Sequence, residues 1–176
     1  MIKKEQEFKA KVVAKVAEEM CVAARTAPKG KGLDLLEIAV VTGADIKKLA
    51  QKMLAIGQEQ DNKTFLRDSE NILQAQAIVL LGTKKKYIGL RYCGFCGFKN
   101  CAEAEKVNTT CAFNTNDLGI AVGSAVAVAA DQRIDSRVMY TIGKAVLELN
   151  WLGPEVIVAL GIPLSVSSKN PFFDRS

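Results

Sequence analysis

The spacing of four cysteines constrains this chain of 176 residues more than any other feature of its sequence. They follow the pattern Cys93-x2-Cys96-x4-Cys101-x9-Cys111 within the segment CGFCGFKNCAEAEKVNTTC. Four thiolates so close together in sequence are a ligand set for an iron–sulfur cluster. The sequence therefore predicts a cysteine-rich, metal-binding loop over residues 93–111, inserted into the rest of the fold.

Zinc is the alternative metal, because thiolate ligands suit both zinc and iron–sulfur clusters. Structural zinc sites usually combine two C-x2-C pairs or mix cysteine with histidine, whereas this segment has one such pair and the chain has no histidine. Gly94 and Gly97 each follow a cysteine and let the backbone bend toward sulfur, while Phe95 and Phe98 are placed to shield a cluster from water. The spacing also differs from the bacterial and plant ferredoxin patterns. We therefore favour a cluster over zinc, and 4Fe–4S over 2Fe–2S.

Composition and charge exclude several classes of function. The formal net charge of +5 is mild and no aromatic–basic RNA-binding motif is present, so we expect no nucleic-acid partner. The longest apolar stretch, residues 118–130, is too short to span a bilayer, and the N-terminus MIKKEQEFKAK lacks the apolar core of a signal peptide. We therefore expect a cytoplasmic protein with reduced thiols and no membrane partner. The absence of histidine excludes Ser-His-Asp and Cys-His nucleophile pairs.

The periodicity of apolar residues predicts a single α+β domain over residues 1–176, an α/β sandwich that carries the cysteine loop. The predicted strands, each buried on both faces, are residues 35–43, 77–82 and 155–163. The predicted helices are residues 3–26, a segment with Ile46, Leu49, Met53 and Ile56 on one side, residues 61–75, a helix that begins near Asn116, and residues 137–150.

Two local patterns make narrower predictions about the first two helices. Four apolar residues of the first helix recur every four positions and are predicted to face the core: Phe8, Val12, Val16 and Met20. The sequence Thr42-Gly43-Ala44-Asp45 resembles a capping box at the start of the second helix.

Small residues in the helix after the cysteines predict close helix packing. Gly119, Gly123 and Ala127 lie on one face of this helix, and a second stripe has the same spacing, namely Ala121, Ala125 and Ala129. Such faces permit close approach by another helix, within the subunit or across a dimer. The remaining cysteine, Cys21, is predicted to be a small buried apolar side chain of the first helix, with a redox or ligand role as the alternative.

Two basic segments are candidate sites for anions or partners. The loop APKGKG, residues 27–32, brings Lys29 and Lys31 close to Arg25, and it is either an anion-binding loop or a solvated basic turn. The run Lys84–Lys86 is either a solvated loop or a site that docks an acidic redox partner.

Longer stretches carry a family resemblance over nearly the whole chain. They are AARTAPKGKGLD at residues 23–34, CGFCGFKNC at 93–101, CAFNTNDLGIAVGSAVAVAADQRIDSRVMYTIGKA at 111–145 and GIPLSVSSKNPFFDR at 161–175. With these stretches the chain resembles small prokaryotic ferredoxin-domain-containing proteins of unassigned function. The cysteine module also resembles the CGxCGxxxC segment, with a later cysteine, of certain electron-transfer and corrinoid-enzyme subunits. That resemblance implies that Cys93, Cys96, Cys101 and Cys111 are cluster ligands.

A second resemblance concerns the fold. AARTAP at residues 23–28 and NDLGIAVGSAVAVAA at 116–130 resemble the AAxxAPS turn and the DxGxA central helix of nitroreductase-like flavoproteins. This resemblance implies an α+β homodimer that holds FMN at the subunit interface. Two departures concern the cofactor: Lys29 replaces the serine after Ala-Pro, and the RxSxR segment that grips the FMN phosphate is missing upstream. Arg175 is the candidate substitute for a phosphate-binding arginine near the C-terminus.

The leading hypothesis is therefore a cytoplasmic iron–sulfur protein that relays single electrons to an unknown redox partner. The first alternative is an FMN-dependent, nitroreductase-like oxidoreductase. The second is a non-catalytic binding module that is stabilised by zinc or by a structural cluster.

Overall fold

A four-stranded antiparallel sheet with helices on both faces forms the framework of the computed structural model, which describes residues 1–173. The strands are β1 (Leu36–Thr42), β2 (Ala77–Lys84), β3 (Asp135–Ser136) and β4 (Val156–Ser165). The α-helices are α1 (Lys9–Thr26), α2 (Ala44–Glu59), α3 (Lys63–Asn71), α4 (Cys101–Lys106), α5 (Ala112–Asp131) and α6 (Tyr140–Glu148). The predicted α+β class and the three predicted strands are confirmed. Within the described part of the chain, no helix is both long and apolar enough to cross a membrane.

The central strand β2 separates two hydrophobic cores. The strand order is β1-β2-β4-β3, and each pairing is antiparallel. Since successive side chains of a strand point to opposite faces, Val79 and Leu81 enter one core, and Ile78 and Leu80 enter the other. A strand that is covered on both faces is apolar without alternation, which is why this strand was predictable from its sequence.

Strand β1 is less buried than predicted. It lies at the edge of the sheet, where it pairs with β2, and residues 37–40 are only half-buried. The apolar run LEIAVVT resembles that of the central strand, and the position of a strand within its sheet depends on pairings between segments distant in sequence. The prediction of burial on both faces is therefore wrong for this strand.

Helices α1 and α5 pack together on one face of the sheet. Ala121, Ala125 and Ala129 of α5 are fully buried, and their small side chains let the two helices lie close together. Across this contact, the Ser124 hydroxyl donates a 3.0 Å hydrogen bond to the carbonyl oxygen of Ala23. The alanine stripe thus packs within the subunit, whereas the neighbouring stripe of Gly119, Gly123 and Ala127 is exposed.

The buried stripe of α1 is shifted from the predicted one. The buried residues of this helix are Val13, Val16, Ala17, Met20 and Ala24. Phe8 and Val12 are exposed, so the prediction was right for Val16 and Met20 and wrong for these two. A step of four residues advances about 40° beyond a full turn in a helix with 3.6 residues per turn. A run of four such positions therefore drifts off the core face.

Helices α2, α3 and α6 cover the other face of the sheet. The predicted inward residues of α2 are buried, namely Ile46, Leu49, Met53 and Ile56. The predicted capping box at the start of this helix is wrong. Gly43 is the N-cap, with a left-handed φ of 58°, and no side-chain hydrogen bond caps the helix. Because Thr42 is still the last residue of β1, its side chain does not act as a cap.

Helix α6 lies directly on β4 because of two glycines. A Cβ atom on Gly143 would overlap the carbonyl oxygen of Ala159, and one on Gly161 would overlap the side chain of Ile142. The helix begins three residues after the predicted residue 137, because the preceding residues extend along β4 and bridge to it.

Replacing Gly143 by alanine should lower the free energy of unfolding by about 3 kcal/mol, because α6 must move away from β4 to admit the new methyl group. Urea denaturation measures this change. Lys144→Ala, at the exposed neighbouring position, is the control and should change stability by less than about 0.5 kcal/mol. Equal stabilities of the two variants would contradict this close contact between helix and strand.

Candidate metal centre

The cysteine segment lies between the end of β2 and the start of α5. Residues 85–100 form turns and irregular backbone. Cys93 and Cys96 lie in this loop, Cys101 is the first residue of the short helix α4, and Cys111 is the N-cap of α5. The four predicted ligands therefore come from a loop, a short helix and the start of a long packed helix.

All four cysteines line one cavity of about 330 Å³. Cys111 is buried and the other three are half-buried. Tyr87, Phe98 and Phe113 contribute aromatic rings to the same cavity. Among residues 1–173, no three cysteine, aspartate or glutamate side chains are gathered closely enough to hold a single metal ion. In a 4Fe–4S cluster each thiolate binds a different iron, so the ligands surround a volume, and four thiols around one cavity fit that group.

Two glycines give the cysteine loop its turns. Gly94 has a φ of 70° and Gly97 a φ of 86°, a left-handed conformation that glycine adopts without steric strain. The amide N–H of Gly97 donates a 2.9 Å hydrogen bond to the carbonyl oxygen of Gly94, which closes a turn around Cys96. The predicted use of glycine for tight bends in this loop is confirmed by these dihedral angles.

The start of α5 provides a favourable electrostatic environment for a thiolate. Cys111 is the N-cap of this 20-residue helix, so its sulfur lies near the positive end of the helix macrodipole. Negative charge is stabilised there, and an iron–sulfur cluster requires its cysteines as thiolates.

Tyr87 holds the walls of the cavity together and was not singled out from the sequence. Its hydroxyl donates to the carbonyl oxygens of Thr109 at 2.8 Å and Ala104 at 3.2 Å. Burial raises the pKa of the Tyr87 hydroxyl, and the negative charge of Glu105 and of the nearby cysteines adds to this effect. The phenol therefore stays protonated and keeps its role as a donor. A tyrosine in the segment YIGLRY carries no sequence signal for this long-range contact.

Two buried polar residues of α5 attach loops around the cavity to this helix. The Asn114 side chain accepts a 3.2 Å hydrogen bond from the backbone N–H of Lys86, and Asp117 accepts one of 3.0 Å from the N–H of Gly30. The helix was predicted to begin near Asn116, and this prediction is wrong because α5 already begins at residue 112. Both residues belong to the continuous polar run of residues 114–117, so the sequence did not distinguish the two that are buried.

The cations of the APKGKG loop are bound to the protein itself. The Lys29 ammonium group donates to three carbonyl oxygens at the end of α1, those of Ala24, Arg25 and Ala27, at 2.6 to 3.3 Å. Arg25 pairs with Asp34 at 2.6 Å. Lys31 donates to the carbonyl oxygen of Ile88 at 3.3 Å, which joins this loop to the segment that leads into the cysteines. All three cations of this segment therefore bind to groups of the chain itself, and the loop is not a simple solvated turn.

The run Lys84–Lys86 is also partly engaged. Lys84 pairs with Glu37 at 2.7 Å and with Glu155 at 3.3 Å, and the hydrogen bond to Glu37 chiefly raises the pKa of the lysine. Lys85 donates to the backbone and side-chain oxygens of Asn108. Two of the three lysines therefore fasten the segment in place, and Lys86 is exposed.

The remaining candidates lie apart from the cavity. Cys21 is half-buried on α1 and packs against the core, as predicted for a structural thiol, and burial raises the pKa of this thiol. It is not one of the residues that line the cavity. Arg175, the candidate phosphate-binding arginine, lies outside the described residues.

Replacing Asp117 by alanine should lower the free energy of unfolding by about 2 kcal/mol, because the N–H of Gly30 loses a charged acceptor. Asp117→Asn keeps an oxygen acceptor and should recover most of this loss in urea denaturation. Asn116→Ala, at the exposed preceding position, is the control with an expected change below about 0.5 kcal/mol. An alanine variant as stable as this control would show that the loop is held by other contacts.

Comparison with known proteins places the chain in a family. A family described as uncharacterized proteins containing a ferredoxin domain matches residues 108–175, which include Cys111 but not the other three cysteines of the cavity. An uncharacterized protein of Archaeoglobus fulgidus is 42% identical over 185 aligned positions, covering 100% of this chain and 98% of the relative.

Solved structures with a similar fold are flavoproteins. A nitroreductase with bound FMN from Bacteroides fragilis is 12% identical, with a TM-score of 0.64 over 93% of this chain and 82% of its own. A nitroreductase from Desulfitobacterium hafniense, also with bound FMN, is 14% identical, with a TM-score of 0.62 over 88% of this chain and 78% of the nitroreductase. A BluB-like flavoprotein from Clostridium difficile is 18% identical, with a TM-score of 0.57 over 89% of this chain and 81% of the flavoprotein. The chain therefore has a nitroreductase-like fold and belongs to the family of uncharacterized proteins containing a ferredoxin domain.

Proposed function

We propose that this chain is a cytoplasmic iron–sulfur protein that transfers electrons. Cys93, Cys96, Cys101 and Cys111 hold the cluster, and 4Fe–4S is the favoured type. The observation that carries this proposal is that all four thiols line one cavity, although they come from different elements. The description of the family as containing a ferredoxin domain supports the same chemistry.

The residues of the chain have separable roles in this function. When bound, the cluster supplies a centre that takes up and releases one electron. The start of α5 stabilises negative charge at Cys111, and the rings of Tyr87, Phe98 and Phe113 limit the access of water to the cavity. The hydrogen bonds of Tyr87 keep the α4–α5 connection next to the loop that carries the first two cysteines. A rigid ligand set limits the rearrangement that accompanies a change in charge.

Metal analysis distinguishes a zinc site from an iron–sulfur cluster. A zinc site of four cysteines binds one ion per chain, has no visible absorbance and cannot transfer electrons. In that case the metal would stabilise the loop over residues 85–111, and the protein would be a binding module.

Serine substitution of each ligand should remove the cluster. The variants C93S, C96S, C101S and C111S should each hold less than half of the iron and acid-labile sulfide of the unaltered protein after anaerobic reconstitution. The unaltered protein should carry about four irons and four sulfides per chain and absorb broadly near 400 nm until it is reduced. Iron, sulfide and zinc assays with EPR of the reduced state measure these outcomes.

The fifth cysteine provides a matched control for this experiment. Cys21 is half-buried on α1 and does not line the cavity, so C21S should keep the full iron and sulfide content. Equal iron in all five variants, or one zinc per chain and no sulfide, would contradict the proposal.

The fold favours a second candidate function, that of an FMN-dependent oxidoreductase. Two of the structural neighbours contain bound FMN. The interactions of the APKGKG loop weigh against this candidate, because Lys29, Arg25 and Lys31 are hydrogen-bonded to groups of the chain. A flavin assay on the same anaerobic sample separates the two candidates, since one FMN per chain would favour the oxidoreductase.

We also propose a homodimer through the exposed face of α5. Gly119, Gly123 and Ala127 form a shallow stripe there, and Ile120 beside it is 39% exposed. Such a surface lets the same helix of a second copy approach closely. The alanine face of α5 already packs on α1. The exposed stripe is the other face with only small side chains, so it is the one available to a second copy.

Replacing Gly123 by leucine should convert this dimer to a monomer. A Cβ atom on Gly123 meets no other atom within 4 Å, so an isolated chain tolerates the larger side chain, whereas a second helix packed there does not. Light scattering coupled to size-exclusion chromatography measures the mass of both proteins. Lys144→Leu, at an exposed position of α6, is the control and should leave the dimer intact. A G123L variant that is still dimeric would place the interface elsewhere.

A further inference from the structure

We infer that the rim of the cysteine cavity is a docking surface for an acidic electron-transfer protein. The surface consists of Arg91, Tyr92 and Lys99, which line the cavity, and of Phe95, which lines an adjoining pocket that shares Phe113 with it; we call these four residues the rim. This inference rests on the proposed function, because it names the kind of partner that exchanges electrons with the site. It assigns the partner to a different surface from the Lys84–Lys86 run, two of whose lysines are engaged within the chain.

Two aromatic side chains of the rim are largely exposed to solvent. Tyr92 is fully exposed and Phe95 is 76% exposed. Tyr92 also has a φ of 52°, a left-handed conformation that is uncommon for a bulky side chain. Phe95 stacks on Phe113, with ring centroids 5.9 Å apart, so its ring is held in a fixed position. Rigid exposed aromatic side chains are typical of the centre of a protein interface.

The charge of the rim selects an acidic partner. Arg91 and Lys99 are exposed and line the mouth of the cavity. Among the described residues, neither forms a salt bridge within 4 Å. Residues 84–111 contain six cations and two acids, so most of the net charge of +5 lies in this segment. Exposed cations around a redox centre raise the rate at which an acidic protein meets it.

The position of the rim brings a docked partner next to the redox centre. Tyr92 immediately precedes Cys93, and Phe95 immediately precedes Cys96. Both cysteines are half-exposed, in contrast to the buried Cys111. A protein that covers the two rings therefore lies against the cysteines through which electrons can reach the surface.

Charge reversal at the rim tests this inference. The probe is a flavodoxin, a small acidic electron carrier whose flavin spectrum differs from that of a cluster. In the reaction, fully reduced flavodoxin loses one electron and the oxidised cluster gains it. Stopped-flow spectroscopy measures this rate, and calorimetry measures the Kd of the complex at low salt.

The variant R91E/K99E should weaken flavodoxin binding and slow electron exchange by at least about tenfold at low salt, and high salt should abolish this difference. Y92S/F95S should also weaken binding, but with little dependence on salt. The control K47E/K63E makes the same change of charge at exposed positions of α2 and α3, on the opposite face of the sheet from α5, and should stay within about twofold. Iron and acid-labile sulfide content should be the same in the unaltered protein, R91E/K99E and the control.

Three results would overturn the inference. The first is that R91E/K99E and the control change flavodoxin binding and the rate of electron exchange equally. The second is that binding of flavodoxin does not depend on salt. The third is that Y92S/F95S converts a dimer to a monomer, which would show that a second copy of the chain covers the rim. Failure of the proposed function is recognised separately, because the unaltered protein would then contain no iron and sulfide, whereas binding of flavodoxin is measured without a cluster.

Discussion

The packing of α5 against α1 and the sheet is the contact on which the candidate metal centre depends. Fully buried alanines bring the two helices close together, and this packing fixes the position of Cys111 at the start of α5. The buried side chains of Asn114 and Asp117 then attach two loops to the same helix. One wall of the cavity is thus formed by the start of a helix whose later turns pack in the hydrophobic core, while Cys93 and Cys96 lie on a loop with glycine turns and hydrogen bonds.

This division between a buried helix start and a more exposed loop suits an electron-transfer site. Cys111 is buried at the positive end of the α5 dipole, whereas the two loop cysteines are half-exposed beside Tyr92 and Phe95. A cluster held by these cysteines would have the buried start of α5 on one side and half-exposed cysteines from which a partner could accept or donate electrons. The nitroreductase-like fold supplies the sheet and the packed helices, and the segment between β2 and α5 adds the four cysteines of the cavity.

Local patterns predicted much of this fold, and contacts between distant residues account for the errors. The strand AIVLLG and the inward face of α2 were predictable because buried positions are occupied by apolar residues, whose spacing can be read from the sequence. The exposure of Phe8 was missed because a run of residues spaced by four drifts around the helix, and the start of α5 was missed because Asn116 resembles an N-cap although it lies inside the helix. The hydrogen bond between Gly30 and Asp117 joins residues 87 positions apart, and no local motif encodes such a contact. The four cysteines were recognisable by spacing alone, whereas Tyr87 and Asn114 became visible only in three dimensions.

The central claim is that the four cysteines surround a cluster rather than a single ion. Anomalous X-ray scattering from crystals grown without oxygen, measured at the iron and zinc absorption edges, tests this claim most directly. The account predicts four iron positions within the cavity, each bonded to one of Cys93, Cys96, Cys101 and Cys111. A single position with signal at the zinc edge, or iron bound by other residues, would contradict it.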